Sequence, residues 1–369
     1  MESLIYQTKY IKYLTNEEVM DFTSDNICGV SKEILAALSV ANEAEAAAPY
    51  GADAMSMTLN DQFSYLFKRD AIVFPVVTGT AANALALSAC VQPWQAILTH
   101  EKAHIEVMEC GAPEFITGGA KLIGVAGDHG KISVEALEKS VRHSGQGCIH
   151  RSQIACISLT QTTDAGTVYS LEELKQITDF AKENGLLVHM DGARFANAVA
   201  ALGCEASELV KGIDVLSFGA TKNGAMNAEA IVFFNKDLAD NFIFQAKRTG
   251  HVISKARFLA AQLQAYITDD LWLKNAKHAN QSAQYLAQRL GTLESVYVET
   301  PVESNLVFVH LPADVAFWLQ DQGVGFYSEE AEQKGYRRLR FVCGFSTPKQ
   351  KIDDLVDLLA SHKETAVAA

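Results

Sequence analysis

Between about residues 71 and 235, short apolar runs alternate with longer segments in which apolar and polar residues recur at helical spacing. The runs 71–76, 95–99, 121–125, 153–159, 186–190, 213–218 and 229–234 predict strands. Segments 80–90 and 171–184 predict helices, the second opened by Ser170 with Glu173 three residues on, a capping box. Such alternation builds a mainly parallel sheet with helices on both faces, and ligands of such sheets bind beyond the carboxyl ends of the strands. After Lys236 the pattern turns to long helical stretches at 240–247, 255–267 and 270–290. Strands follow near 295–299, 305–310 and 337–342, then a last helix for which Thr347-Pro348-Lys349-Gln350 supplies a cap and an N-terminal proline. The pattern predicts an α/β fold: a large domain over 20–250, a smaller α+β C-terminal domain over 251–369, and 1–19 as an N-terminal arm. The boundary is expected within about 248–260.

At 369 residues the chain exceeds what one core usually fills, which agrees with two domains. The net charge of -13 repels phosphate backbones and anionic lipid heads, so nucleic acid and membrane are not expected partners. Glu2, Lys9, Lys12, Glu17 and Glu18 interrupt the first apolar residues, leaving no signal-peptide core, and no run approaches a membrane span. A cytoplasmic protein is expected. Its seven cysteines are scattered and never form a C-x-x-C pair, which suits reduced thiols. Neither they nor the ten histidines fall at zinc-ligand spacing, so no metal is expected.

Two strand ends carry the chemistry. His189-Met190-Asp191-Gly192-Ala193-Arg194 closes one apolar run with a carboxylate, and Ser217-Phe218-Gly219-Ala220-Thr221-Lys222 closes another with a turn and a lysine. Pyridoxal 5'-phosphate requires a lysine amine for its aldehyde and an acidic partner that keeps the pyridine nitrogen protonated. Lys222 and Asp191 can fill these roles. The turn Thr78-Gly79-Thr80 follows a strand and opens a helix, so its amides and the Thr80 hydroxyl could hold a phosphate. His104, after the next strand end, could stack on a flat ring, whereas His100 and His129 read as packing or capping residues. A free amino acid brings a carboxylate, for which Arg194 is one bidentate partner and the late Arg337-Arg338-Leu339-Arg340 run offers another. Strand alternation puts Arg338 and Arg340 on one face and does not choose between them.

These segments resemble the threonine aldolase branch of the fold-type-I, aminotransferase-like pyridoxal-phosphate enzymes, the β-eliminating lyase family. The matching stretches are Phe22-Thr23-Ser24-Asp25-Asn26, Tyr50-Gly51-Ala52-Asp53, Thr78-Gly79-Thr80-Ala81-Ala82-Asn83, His104, Asp191-Gly192-Ala193-Arg194 and Thr221-Lys222, with Arg340-Phe341-Val342 a looser match. The resemblance implies that Lys222 binds the cofactor covalently, Asp191 faces the ring nitrogen, His104 stacks on the ring, and Gly79, Thr80 and Thr221 contact the phosphate. It assigns Ser24, Arg194 and Arg340 to the substrate carboxylate. It also gives Tyr50 a reach into a neighbouring subunit's site, hence a homodimer or homotetramer.

Two departures stand out. Threonine aldolases typically carry a histidine near the substrate hydroxyl, in a segment E-N-T-H-N, where this chain has Thr160-Gln161-Thr162-Thr163-Asp164. Thr163 takes the histidine's place beside the substrate and cannot act as a base near neutral pH. Phenylserine-type aldolases have a similar histidine-poor segment, which suits a bulkier β-substituent. Lys255 stands where the family tends to place an arginine toward a partner's phosphate. The activity implied is cleavage of an L-β-hydroxy-α-amino acid, of the threonine, allo-threonine or phenylserine type, to glycine and an aldehyde. The rival readings are β-elimination, transamination or racemisation with the same cofactor, and a cofactor-free binding protein on an α/β fold.

Overall fold

Seven strands form the main sheet: β1 (Ile72–Val76), β2 (Gln95–His100), β3 (Lys121–Val125), β4 (Gln153–Thr160), β5 (Leu187–Gly192), β6 (Val215–Gly219) and β7 (Glu229–Phe233). The structure is a computed structural model that describes residues 20–43, 46–299 and 301–367; the expected arm 1–19 lies outside them. The order is β1-β7-β6-β5-β4-β2-β3. From β3 to β6 every pairing is parallel, while β7 runs antiparallel to both β6 and β1. All five residues of β6 and of β7 are buried, as continuous apolar strands covered on both faces should be.

The described chain divides into two compact units, residues 29–276 and residues 20–28 with 277–367. The division falls later than the 248–260 expected from the pattern. The helix Arg257–Ile267 buries Leu259, Ala260, Leu263 and Tyr266 in the core of the sheet unit, so its apolar stripe belongs there. Residues 20–28 also leave the sheet unit. Phe22 donates its N–H to Gly325 O (2.8 Å) and accepts from Val342 N (2.8 Å) within the smaller unit.

In the sheet unit an aromatic cluster lies beneath β6. Phe218 makes ring contacts with Phe63, Phe67, Phe195, Tyr266 and Trp272 at centroid distances of 5.3–6.2 Å. Rings in this range gain beyond their area burial, so the strand that ends at the lysine turn is firmly anchored. The helix Leu171–Glu183 carries the expected capping box. In the smaller unit, β8 (Tyr297–Val298), β9 (Leu306–Pro312), β10 (Tyr327–Glu330) and β11 (Tyr336–Val342) form an antiparallel sheet ordered β10-β11-β9-β8. The helix Lys349–Val367 contributes Ile352, Leu355, Val356 and Leu359 to its core. The strand Tyr327–Glu330 was not anticipated; its polar sequence and exposed register hide the alternation on which strand prediction relies.

Candidate active site

The carboxyl ends of β5 and β6 are adjacent, with Asp191 opposite Ser217 and Gly192 opposite Phe218. Their approach depends on two glycines. A Cβ on Gly219 would lie 2.5 Å from Ala193 O, and one on Gly192 would lie 2.7 Å from Leu216 Cδ1. The turn after β6 is fixed from below: Asn223 Nδ2 donates to Tyr266 Oη (2.7 Å) and Trp272 O (2.8 Å). Lys222 therefore rises from a constrained turn beside Asp191.

Asp191 is buried and accepts two hydrogen bonds, from Ala193 N at Oδ1 (3.0 Å) and from Asn83 Nδ2 at Oδ2 (3.0 Å). The same amide nitrogen donates to Glu109 Oε1 (2.9 Å), which His104 Nδ1 also meets at 2.8 Å. His104 is raised above the ordinary imidazole range, chiefly by Glu109 and further by Asp191, against burial and the Lys222 charge. One imidazole thus senses both Asp191 and Lys222. Beneath Asp191, His189 bridges the hydroxyls of Ser158 (2.9 Å) and Ser217 (3.0 Å). Burial pushes it down to about 4, so it is a neutral strut at neutral pH.

The helix Gly79–Cys90 starts directly after β1, and the Thr78 hydroxyl accepts Ala81 N (3.1 Å) as its cap. Among the described residues the N–H groups of Gly79 and Thr80 have no partner, and a Cβ on Gly79 would meet nothing within 4 Å. This is an open anion cradle. Across β7 lies a residue missed in the sequence. Glu229 pairs with Val76 on one side and Gly219 on the other, so it stands between the cradle and the lysine turn. Its Oε2 accepts Ala220 N at 2.8 Å. Burial pushes it up to about 7, against hydrogen bonds from Thr221 and Ala220 and the Lys222 charge.

Other expected residues fall as follows. Arg194 precedes the helix Phe195–Leu202 and lies close enough to Asp164 to oppose the rise of its pKa. The Thr163 hydroxyl bonds Thr167 Oγ1 (2.8 Å) in its own loop and donates to His129 O (3.2 Å) in the turn after β3. His100 is likewise structural, its ring bonded to Gly127 O (2.9 Å) and Lys102 N (3.1 Å). Tyr50 is exposed, with the Lys247 ammonium 5.1 Å from its ring centroid, and Lys255 is exposed as well. In the smaller unit, Arg338 is engaged by Glu299 through two bonds of 2.8 Å and by Glu329 at 2.7 Å. Arg340 instead donates to Thr23 O (3.3 Å), the residue before Ser24, over the Tyr327 ring. The structure thus separates two arginines that alternation left equivalent.

The missed residues share one property: each acts through a partner outside its own strand or helix. Asn83 bonds across to Asp191, and Glu229 is an acid opening the otherwise apolar run Glu229–Phe233. That run held the only signal, a charge where burial was expected. The donor set fits pyridoxal phosphate: an anion cradle, a carboxylate and a lysine sensed by one imidazole. Two buried polar atoms in the network, Asn83 Oδ1 and Glu109 Oε2, also lack a hydrogen-bond partner among the described residues.

A family model described as beta-eliminating lyase matches residues 21–313. The chain belongs to the beta-eliminating lyase family, within the fold-type-I pyridoxal-phosphate enzymes. It is 41% identical over 341 residues to the low specificity L-threonine aldolase of Pseudomonas aeruginosa, covering 92% of this chain and 96% of that one. The Saccharomyces cerevisiae low specificity L-threonine aldolase is 27% identical over 303 residues, covering 82% and 76% respectively. Among solved structures, a Leishmania major threonine aldolase superposes with a TM-score of 0.87 at 26% identity, covering 92% of this chain and 98% of that one.

Proposed function

We propose that this protein is a pyridoxal-phosphate-dependent aldolase that cleaves L-β-hydroxy-α-amino acids to glycine and an aldehyde. The observation that carries the reading is the placement of Asp191 at the end of β5 and Lys222 in the turn after the adjacent β6, both sensed by His104, beside the cradle at Gly79 and Thr80. The similarity to proteins named low specificity L-threonine aldolase favours aldol cleavage over elimination or transamination.

Lys222 would hold the cofactor aldehyde, Asp191 the ring nitrogen, and Gly79, Thr80 and Thr221 the phosphate. When bound, the cofactor supplies an electron sink for the pair released at the substrate Cα. Asn83 and Ala193 N hold Asp191 in one orientation, and Glu109 keeps the His104 imidazole in place. Arg194 is assigned to the substrate carboxylate, as the resemblance also assigns Ser24 and Arg340. Exposed Tyr50 suits a contact with a second copy, in a homodimer or homotetramer. Seven free cysteines suit a reducing compartment, and we place the protein in the cytoplasm. Among the described residues no helix is long and apolar enough to cross a membrane.

The test is to supply purified protein with cofactor and then threonine, allo-threonine or phenylserine. Glycine plus an aldehyde supports the reading; ammonia plus a keto acid favours the eliminating rival. Absorbance that borohydride or Lys222→Ala removes supports the attachment, and a colourless protein indifferent to added cofactor refutes it. Asp191→Ala should retain the fold and lose glycine production.

A further inference from the structure

The loop after β4 holds a carboxyl group that the assignments above leave unused. Its start is clamped: Gln161 N donates to Asp191 O (2.8 Å), and the buried Gln161 side chain both donates to Tyr169 O (2.9 Å) and accepts Tyr169 N (3.0 Å). Thr163 is then drawn into the loop by His129 O and Thr167. Asp164 is delivered to the site instead, where Oδ2 accepts the backbone N–H of His104 at 3.1 Å. Among the described residues Oδ1 has no hydrogen bond, and it is not fully buried.

The groups facing Asp164 come from three strand ends of the site: His104 after β2, Asp191 at the end of β5 with Arg194 just past it, and Lys222 after β6. Burial, and then the Asp191 charge, raise it above the usual carboxylate range against the three cations. A carboxylate of raised basicity beside His104, with one oxygen free of hydrogen bonds, is suited to accept a proton. Thr163 cannot act, and Glu109 is already shared between His104 and Asn83.

We propose that Asp164 is the base that takes the β-hydroxyl proton of the substrate, doing from position 164 what a histidine would do from position 163. The inference rests on the aldolase reading. As the Cα–Cβ bond breaks, the hydroxyl proton passes to Asp164 and the O–H pair becomes the second C–O bond of the aldehyde. The Cα–Cβ pair stays with the glycine fragment, whose Cα then takes one proton. Asp164 returns its own proton to water, so protons balance over the turnover.

The test uses holoenzyme and two rates, cleavage of phenylserine or threonine and deuterium exchange at the Cα of glycine followed by NMR. Exchange needs Lys222, Asp191 and the cofactor but has no β-hydroxyl. Asp164→Asn keeps an acceptor for His104 N–H and should slow cleavage by about 10²–10⁴-fold, the usual worth of a positioned base. Its exchange rate should fall at least tenfold less than its cleavage rate. The acid limb of the wild-type kcat/KM profile should disappear, and Asp164→Glu should recover part of the cleavage. Unchanged cleavage in Asp164→Asn, parallel loss of both rates, or no recovery in Asp164→Glu would overturn the assignment while leaving the aldolase reading intact. A wild type that exchanges glycine but cleaves no hydroxy amino acid would overturn both.

Discussion

Glu229 accepts the backbone N–H of Ala220 at 2.8 Å, two residues before Lys222, and shares its strand register with Gly219 and Val76. A buried acid thereby ties the lysine turn to the strand beside the anion cradle. Its carboxyl is raised to about 7, against an ordinary value of about 4.3, so between these values the folded state binds the extra proton. Stability from this group therefore falls as pH rises through that window and levels off above it. Denaturant midpoints should show the decline in wild type and a flatter curve in Glu229→Gln; parallel curves would contradict the assigned environment.

The same sign applies to His104, although here it is the charged form that the fold favours. Its pKa is raised, first by Glu109, so the stabilisation is full below the unfolded value of about 6.5 and is lost as pH rises through the higher folded value. Glu109→Gln should lower the His104 titration midpoint, read by NMR with His104→Gln as the assignment control. It should destabilise the protein at acidic pH and leave the contribution of this pair unchanged in the alkaline range. A His104 midpoint unmoved by the substitution would show that the 2.8 Å contact carries no charge coupling.

Gly219→Ala tests the close approach of the two strand ends. The added methyl would meet Ala193 O at 2.5 Å, a backbone atom that cannot swing aside. Overpacking of this kind costs about 1–3 kcal/mol. A lowered Tm should accompany weaker cofactor retention, since Ala193 also donates its N–H to Asp191. A variant as stable as wild type would mean that the turn at residue 193 yields easily.

The arginines of β11 should separate in their effects. Arg340→Lys removes a planar donor beside Thr23 and is expected to raise KM for the amino acid roughly tenfold while kcat moves less. Arg338→Lys instead breaks the two-point contact with Glu299 and should cost about 1 kcal/mol of stability, with KM near wild type. Steady-state kinetics beside thermal melts decide between them, and a KM effect in Arg338→Lys alone would exchange the two roles.

Asp191 and Lys222 were legible because apolar strands announce where they end, and strand ends of a parallel sheet are where ligands bind. Most strand ranges were readable for the same reason, β3 to the residue. What escaped was cross-chain geometry. Asn83 and Asp191 are 108 residues apart in sequence, and nothing local to either announces their bond. Thr163 was singled out by its position, whereas the bonds that its hydroxyl makes to Thr167 and that Asp164 accepts from His104 N depend on how the loop folds. The domain boundary was misplaced because the amphipathic stripe of Arg257–Ile267 does not say which core it covers.

Because β7 runs against its neighbours, the chain passes from Gly219 to Glu229 without ever leaving the reactive rim of the sheet. That nine-residue bridge can tolerate no change of length, since both anchors are hydrogen-bonded into the sheet and the amine lies between them. The exposed stretch 144–152, which enters β4 from the far rim, faces no such demand. Peptide tags inserted there should be silent, whereas one extra residue between 219 and 229 should leave a folded but inert protein.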